Sequence, residues 1–294
     1  MALTVAQAFT DFAVAIKPTV TQEATIAGRR AAVENFLVAK YPSGSTMPLT
    51  HVRTIGSAAR KTLIRPVDDV DVFAVFDDSQ VWPPYQHDSK QLLYRVREAL
   101  SGYNVKTIGS RGQAVRLFYT DGPNVDITPA FPVQDFFGQP DGYFIPRGDG
   151  GWQQTNPYKH HDFMAERNQA LGGYLKPLVR LLKRWSSSHS SRIKGFHLEL
   201  ITQAIFTGLG TNMRANVESF FQHAGSYVHV SDPAGYSGDL ASGWSWQHAL
   251  NVSQSFSTAL TQVQRARTAD AQGYPAEAMR QWRIVFGNEF PSYG

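Results

Sequence analysis

The sequence contains no cysteine and no long apolar run, and each absence excludes a class of protein. Without cysteine there are no disulfides, no thiolate metal ligands and no cysteine nucleophile, a composition that fits a cytoplasmic protein. No segment reaches the roughly 20 apolar residues that a membrane-spanning helix needs. The first 18 residues lack the basic start and cleavage site of a signal peptide and instead predict an amphipathic helix. We therefore expect a cytoplasmic protein with no membrane partner.

The sequence also carries little net charge. The 294 residues carry a formal net charge of +4, and 42% of them are apolar. This apolar content is enough for a core, and the length predicts one large lobe or two closely packed lobes. A mild positive charge is compatible with anionic ligands but does not by itself indicate nucleic-acid binding. We expect no stable nucleic-acid partner.

The spacing of apolar residues predicts strands first and helices later. Between residues 50 and 131, short runs rich in β-branched and aromatic residues alternate with turns. The four strand candidates are THVRTI, VDVFAVF, AVRLFY and NVDITPAF. Helical spacing covers residues 21–40 and 87–101, and it returns after about residue 155. The pattern predicts an α+β protein with a mixed sheet followed by a mainly helical part.

Glycine and proline are dense in residues 138–151, GQPDGYFIPRGDGG, which predicts a crossing between two lobes. We therefore expect a mixed-sheet domain with N-terminal helices at residues 1–150. A helical domain is expected at residues 151–294.

Acidic residues gather where a buried strand is predicted to begin. Asp69 and Asp71 are two positions apart at the start of VDVFAVF, so on a strand their side chains project from the same face. Asp126, in NVDITPAF, is expected to join them from a neighbouring strand. Converging carboxylates repel one another unless cations neutralise them, and oxygen-only ligands suit Mg²⁺ or Mn²⁺. These three residues are therefore candidate metal ligands and catalytic residues, holding two ions for an in-line displacement at phosphorus.

A Gly-Ser pair precedes the acidic residues. Gly56-Ser57 follows the predicted strand THVRTI, and such a turn can offer backbone N–H groups and a hydroxyl to phosphates. A lone Asp-x-Asp or a lone Gly-Ser is common in ordinary turns. The combination of Gly-Ser, Asp69-x-Asp71 and a third aspartate in a second strand is what predicts phosphoryl chemistry.

This arrangement resembles the DNA-polymerase-β-like nucleotidyltransferase superfamily, whose motif is Gly-Ser, then Asp-x-Asp, then a third Asp. More closely, the chain is similar to the bacterial cGAS/DncV-like nucleotidyltransferases of CBASS anti-phage systems. The closer resemblance extends over VDITPAF, GYFIPRGDGGWQQTNPYKHHDF, LKPLVRLLKRW, KGFHLELI, SDPAGYSGDL and VFGNEFP. It implies a two-lobed polymerase-β-like fold, in which a mixed-sheet lobe carries the carboxylates and a helical lobe, like that of oligoadenylate synthase, closes the nucleotide cleft.

The resemblance also implies nucleotide-binding residues. Gly56 and Ser57 would hold the triphosphate, and Lys183, in the LKPLVRLLKRW segment, would contact the donor triphosphate. That segment places its apolar residues on one face of a helix and its basic residues on another. Relatives often carry a serine where this chain has Gly195, which removes one expected phosphate contact. Phe196 follows it and would stack on a base.

The implied activity is condensation of nucleoside triphosphates into a cyclic di- or trinucleotide, with release of pyrophosphate. One alternative is an RNA- or tRNA-tailing nucleotidyltransferase, which shares the metal chemistry but predicts salt-sensitive RNA binding. Another is a metal-dead scaffold that binds nucleotide without turnover, although all three carboxylates are present. Some relatives end in a small residue that accessory CBASS proteins conjugate to targets, which makes Gly294 a candidate for that role.

Overall fold

The computed structural model describes residues 2–189 and 193–294, apart from the side chains of Asp78, Gln80 and Arg111. These residues form two compact units. The sheet unit consists of residues 18–61 and 67–162. The helical unit consists of the chain up to Lys17, residues 62–66 and residues 163–294. Each unit is therefore built from more than one stretch of the chain.

The sheet unit contains one mixed sheet of seven described strands. Strands β1, β2, β5, β4 and β3 are neighbours in that order, while β6 pairs with β5 and β7 pairs with β6. Only the β2–β5 pair is parallel among these pairings. The strands are β1 Leu49–Thr54, β2 Asp69–Phe76, β3 Thr107–Arg111, β4 Ala114–Phe118, β5 Asn124–Gln134, β6 Pro140–Pro146 and β7 Trp152–Thr155.

Strand β2 lies between β1 and β5, and its sequence reflects that position. Every residue from Val72 to Phe76 is buried, which is expected of a strand with both faces covered. Part of this core is a cluster in which Phe73 and Val75 pack with Ala130, Tyr143 and Ile145. The apolar run therefore anchors the acidic start of β2 in rigid structure.

Helices accompany the sheet. Helix α2 begins with a capping box, because the Thr19 side chain accepts from the Gln22 N–H and the Gln22 side chain accepts from the Thr19 N–H. The helices in this part of the chain are α2 Val20–Lys40, α3 Gly56–Ala59, α4 Asp78–Tyr85 and α5 Ser89–Ala99. Helix α2 confirms the helix predicted over residues 21–40, and α5 confirms the centre of the one predicted over 87–101.

The helical unit has a core rich in aromatic residues. Phe9 of the first helix meets Trp282 edge to face, with ring centroids 4.7 Å apart, and Phe12 meets Phe290 at 5.1 Å. The helices here are α1 Val5–Ala15, α7 Leu175–His189, α8 Gly195–Ile205, α9 Met213–His223, α10 Trp246–Ala271 and α11 Pro275–Phe286, and α6 Pro157–Ala170 begins in the sheet unit and ends in this one.

The two units divide the chain differently from the predicted domains at 1–150 and 151–294. Helix α1 belongs to the helical unit because its phenylalanines pack against α11. The stretch at 138–151, expected to cross between lobes, instead contains β6, which pairs with β5 and keeps the sheet unit continuous to Asp162. The α+β fold class itself, a mixed sheet with a helical C-terminal region, is confirmed. In the part of the chain that the structure describes, no helix is long and apolar enough to cross a membrane.

Candidate active site

Three carboxylates lie on neighbouring positions of the central strands. Asp71 of β2 stands opposite Asp126 of β5 in the parallel register. Asp69 lies two residues before Asp71, so it projects from the same face of β2. The structure therefore brings together the three aspartates that the sequence predicted would converge.

An arginine that the sequence analysis missed completes this row. Arg116 of β4 stands opposite Asp126 in the antiparallel register. Its Nε donates to Asp126 Oδ1 at 2.6 Å and its Nη2 to Asp126 Oδ2 at 2.6 Å. The same Nη2 donates to Asp69 Oδ2 at 2.5 Å. These hydrogen bonds, first of all those to Asp126, raise the pKa of Arg116, so the guanidinium is a permanent positive charge between two carboxylates.

The electrostatics of Asp71 differ from those of an ordinary surface carboxylate. Burial, followed by the nearby carboxylates of Asp69 and Asp126, raises the pKa of Asp71 to about 6. The positive charges of Arg60 and Arg116 act in the opposite direction but do not cancel this rise. Asp71 is therefore a partly buried carboxylate with two negative neighbours, and a cation beside it would favour its charged form.

The donor set suits a hard divalent ion, because it consists of carboxylate oxygens alone. As the side chains stand, however, no group of three or more His, Asp or Glu among the described residues has a metal-holding geometry. Arg116 occupies part of this donor set, since its guanidinium binds oxygens of Asp69 and Asp126. Metal binding by all three carboxylates would require the bound oxygens of Asp69 and Asp126 to release Arg116 or to contact Arg116 and the metal together.

Gly56 brings the Gly-Ser turn directly beside Asp71. The backbone of Gly56 is left-handed, with φ at +64°, which disfavours residues that carry a Cβ. A Cβ on Gly56 would also overlap Asp71 Oδ2. The preceding Ile55 N–H donates to the Asp71 carbonyl at 2.9 Å. Both the conformation and the close approach therefore require glycine here.

Ser57 is the second residue of α3, which follows β1 after one residue. The strand–turn–helix arrangement predicted around Gly56-Ser57 is thus present. Ser57 is partly buried in the sheet unit, as are Asp69 and Asp71. Its role toward phosphate stays a prediction.

Lys183 and Phe196 lie in the helical unit. The Lys183 Nζ is 2.5 Å from Glu199 Oε1 and donates to Thr62 Oγ1 at 3.1 Å. Phe196 is the second residue of α8 and is half-buried. The apolar face predicted for α7 is confirmed, because its members are all buried: Leu175, Leu178, Val179, Leu182 and Trp185. The nucleotide contacts of Lys183 and Phe196 stay predictions.

Comparison with known proteins identifies the family. Residues 3–168 match the Second Messenger Oligonucleotide or Dinucleotide Synthetase domain, SMODS. A protein of Bacillus cereus (strain VD146), described as a "probable cyclic nucleotide synthase", is 27% identical over 270 residues, covering 81% of each chain. A cyclic AMP-AMP-AMP synthase of Acinetobacter sp. is 30% identical over 268 residues, covering 82% of this chain and 73% of the relative.

Solved structures share the fold. The CdnC protein of Escherichia coli MS115-1, in complex with a HORMA protein, superposes with a TM-score of 0.76 at 20% identity. The superposition covers 97% of this chain and 98% of CdnC. DncV of Vibrio cholerae, in complex with a linear intermediate, gives a TM-score of 0.74 at 13% identity, covering 99% and 97%. At these identities the structures establish the fold alone.

A Gly-Ser turn beside a row of aspartates, on a sheet of this topology, defines a nucleotidyltransferase of the polymerase-β-like class. The chain belongs to the SMODS family, the cGAS/DncV-like nucleotidyltransferases of CBASS systems, and it is an enzyme of the cyclic oligonucleotide synthase type.

Proposed function

We propose that this enzyme condenses nucleoside triphosphates into a cyclic di- or trinucleotide second messenger, releasing pyrophosphate, as part of anti-phage defence. The observation that carries the proposal is the row of Asp69, Asp71 and Asp126 with Gly56 directly against Asp71, in a chain of the synthase family. Phosphoryl transfer needs little covalent chemistry from a protein, so positioning and charge compensation are the main tasks of these residues.

Asp69, Asp71 and Asp126 would hold two Mg²⁺ or Mn²⁺ ions. When bound, such ions polarise the reacting phosphate and lower the pKa of the attacking hydroxyl. The closeness of the carboxylates supports this assignment, because Asp71 stands opposite Asp126, and the negative charges of Asp69 and Asp126 add to burial in raising the pKa of Asp71. Metal-binding carboxylates also need fixed orientations. The hydrogen bonds from Arg116 hold the carboxylates of Asp126 and Asp69 in place.

Gly56 and Ser57 would bind the triphosphate of the donor nucleotide through backbone N–H groups and the serine hydroxyl. Lys183 would add a positive charge to the same triphosphate, and Phe196 would stack on a base. These four assignments rest on the match to the family motif. Gly195 supplies no hydroxyl where relatives often have serine, so more of the phosphate binding would fall to Ser57 and Lys183.

The relatives suggest which substrates and partners to try first. One relative is named a cyclic AMP-AMP-AMP synthase, and CdnC has been solved both with ATP and with a HORMA protein. We therefore propose ATP as the first substrate to test. An accessory CBASS protein is the partner class that we propose.

Product analysis tests the proposal. The purified protein is incubated with labelled nucleoside triphosphates and Mg²⁺ or Mn²⁺, and the mixture is then treated with phosphatase. We expect a phosphatase-resistant product whose mass identifies bases and ring size, together with released pyrophosphate. Asp71→Asn should abolish it. Asp121→Asn is the matched control, because the Asp121 side chain is 88% exposed and its carboxylate pairs with Arg29.

Two results would contradict the proposal. One is the absence of any resistant product with every combination of the four ribonucleotides and both metals. The other is extension of added RNA by single nucleotides without cyclic product, which electrophoresis detects and which indicates a tailing enzyme.

A further inference from the structure

A five-residue segment, residues 62–66, belongs to the helical unit although the chain on both sides of it belongs to the sheet unit. We call this segment the strap. Ser57 lies five residues before its first residue, and Asp69 lies three residues after its last. The strap therefore lies in the middle of residues 58–68, the stretch of chain that joins the Gly-Ser turn to the acidic strand β2.

The strap begins in a buried polar network. Thr62 is fully buried, and its Oγ1 donates to Glu199 Oε1 at 2.7 Å. Lys183 Nζ donates to the Thr62 carbonyl at 3.3 Å and lies 2.5 Å from the same Glu199 oxygen. Glu199 is fully buried on α8. A buried carboxylate is costly unless it is paired and hydrogen-bonded, and Glu199 satisfies this condition with partners that include Thr62.

The strap is also held at its other end. The Arg65 N–H donates to the Ile16 carbonyl at 2.8 Å, and Arg65 Nη2 donates to the Val14 carbonyl at 3.2 Å. Both acceptors lie at the end of α1. The strap is thus attached to α1, α7 and α8 of the helical unit.

Glycine at position 195 leaves space beside the network. A Cβ there would lie 3.2 Å from Lys183 Cε, so Lys183 would have to shift by a few tenths of an ångström. The chain has no side chain at this position to crowd Lys183.

We propose that Glu199 and Thr62 are positioning residues for the reaction. Neither is assigned a contact with substrate. Glu199 fixes Thr62, and Thr62 fixes the start of the strap, which limits the movement of Ser57 on one side and of Asp69 on the other. The connections on both sides are themselves hydrogen-bonded. The Arg60 N–H donates to the Gly56 carbonyl at 3.2 Å and the Lys61 N–H to the Ala58 carbonyl at 3.2 Å, while the Asp68 carbonyl accepts from the Asn124 N–H at 2.9 Å. The effect on the reaction rests on the proposed function. The restraint on Ser57 and Asp69 does not, because it is argued from the contacts of the strap.

Two substitutions at Thr62 separate the hydrogen bond from the side-chain volume. Thr62→Val keeps the shape and removes the hydroxyl that donates to Glu199 and accepts from Lys183, whereas Thr62→Ser keeps both hydrogen bonds. Thr202→Val is the matched control. Thr202 is also fully buried in the helical unit, but its Oγ1 donates to the Leu198 carbonyl at 2.7 Å, within α8.

Hydrogen exchange followed by mass spectrometry gives a readout that needs no activity. We expect amide exchange in residues 56–71 to accelerate about tenfold in Thr62→Val, the factor that corresponds to the net loss of one buried hydrogen bond. Thr62→Ser and Thr202→Val should leave this segment at the wild-type rate. With ATP as substrate, kcat of Thr62→Val should fall by a similar factor, and Thr62→Ser should restore it.

Equal exchange in Thr62→Val and Thr202→Val would overturn the inference, as would faster exchange confined to residues 195–205. If Thr62→Val instead lowers the melting temperature and loosens the whole helical unit as Thr202→Val does, the bond is structural only. Accelerated exchange in 56–71 without any cyclic product from the wild type would support the restraint while contradicting the proposed function.

Discussion

Replacing Gly56 with alanine gives the sharpest test of the site geometry. The substitution adds a Cβ to a left-handed residue, which costs roughly 1–2 kcal/mol for any residue other than glycine. It also places that Cβ inside the contact distance of Asp71 Oδ2, whereas ordinary contact begins at 3.4 Å. Either the turn or the carboxylate must therefore move by about 1 Å, and a misplacement of that size can cost about 10²-fold in rate.

Gly112→Ala is the matched control for this substitution. Gly112 has nearly the same backbone conformation, φ +59°, but a Cβ there meets nothing within 4 Å. We expect both variants to lose about 1–2 kcal/mol in denaturant unfolding. Only Gly56→Ala should lose about 10²-fold in the initial rate of product formation. Rates that agree within twofold between the two variants would refute the assigned contact between Gly56 and Asp71.

Three further predictions concern the charged row and the surface. Asp126→Asn should lower the rate by roughly 10³-fold if Asp126 holds a metal ion as proposed, because such an ion contributes several kcal/mol to catalysis, and a normal circular dichroism spectrum would exclude misfolding. Arg116→Lys loses the two-pronged bond to Asp126, so its melting temperature should fall in chelator and recover partly with Mg²⁺; equal melting with and without Mg²⁺ would contradict a cation site here. Phe136 and Phe137 are 96% and 81% exposed, so changing both to serine should alter stability by less than about 0.5 kcal/mol, as measured by denaturant unfolding.

Part of the convergence of the three aspartates was predictable from local pattern, because alternation places Asp69 and Asp71 on one face of β2. The apolar run around Asp126 indicates a second buried strand. Its parallel pairing with β2 joins distant parts of the chain, and it was expected from the resemblance to the nucleotidyltransferase motif. Gly56 was predictable from local pattern, since a strand, a Gly-Ser turn and a basic segment follow one another in sequence.

Other features depend on contacts between distant parts of the chain and could not be read from local pattern. Arg116 alternates with buried Val115 and Leu117, which marks it as facing away from them, but only the β4–β5 register places it against Asp126. Helix α4 contains two prolines, which predict a break rather than a helix. The assignment of α1 to the helical unit follows from aromatic packing with residues more than 250 positions away.

The interleaving of the two units bears on how such a chain can change through evolution. The chain passes from one unit to the other at residues 17–18, 61–62, 66–67 and 162–163. A single recombination breakpoint therefore cannot exchange either unit whole, because any one crossover would split at least one of them between two parental genes. We expect natural chimaeras within this lineage to be rare, and sequence divergence to accumulate instead through point substitution and loop replacement.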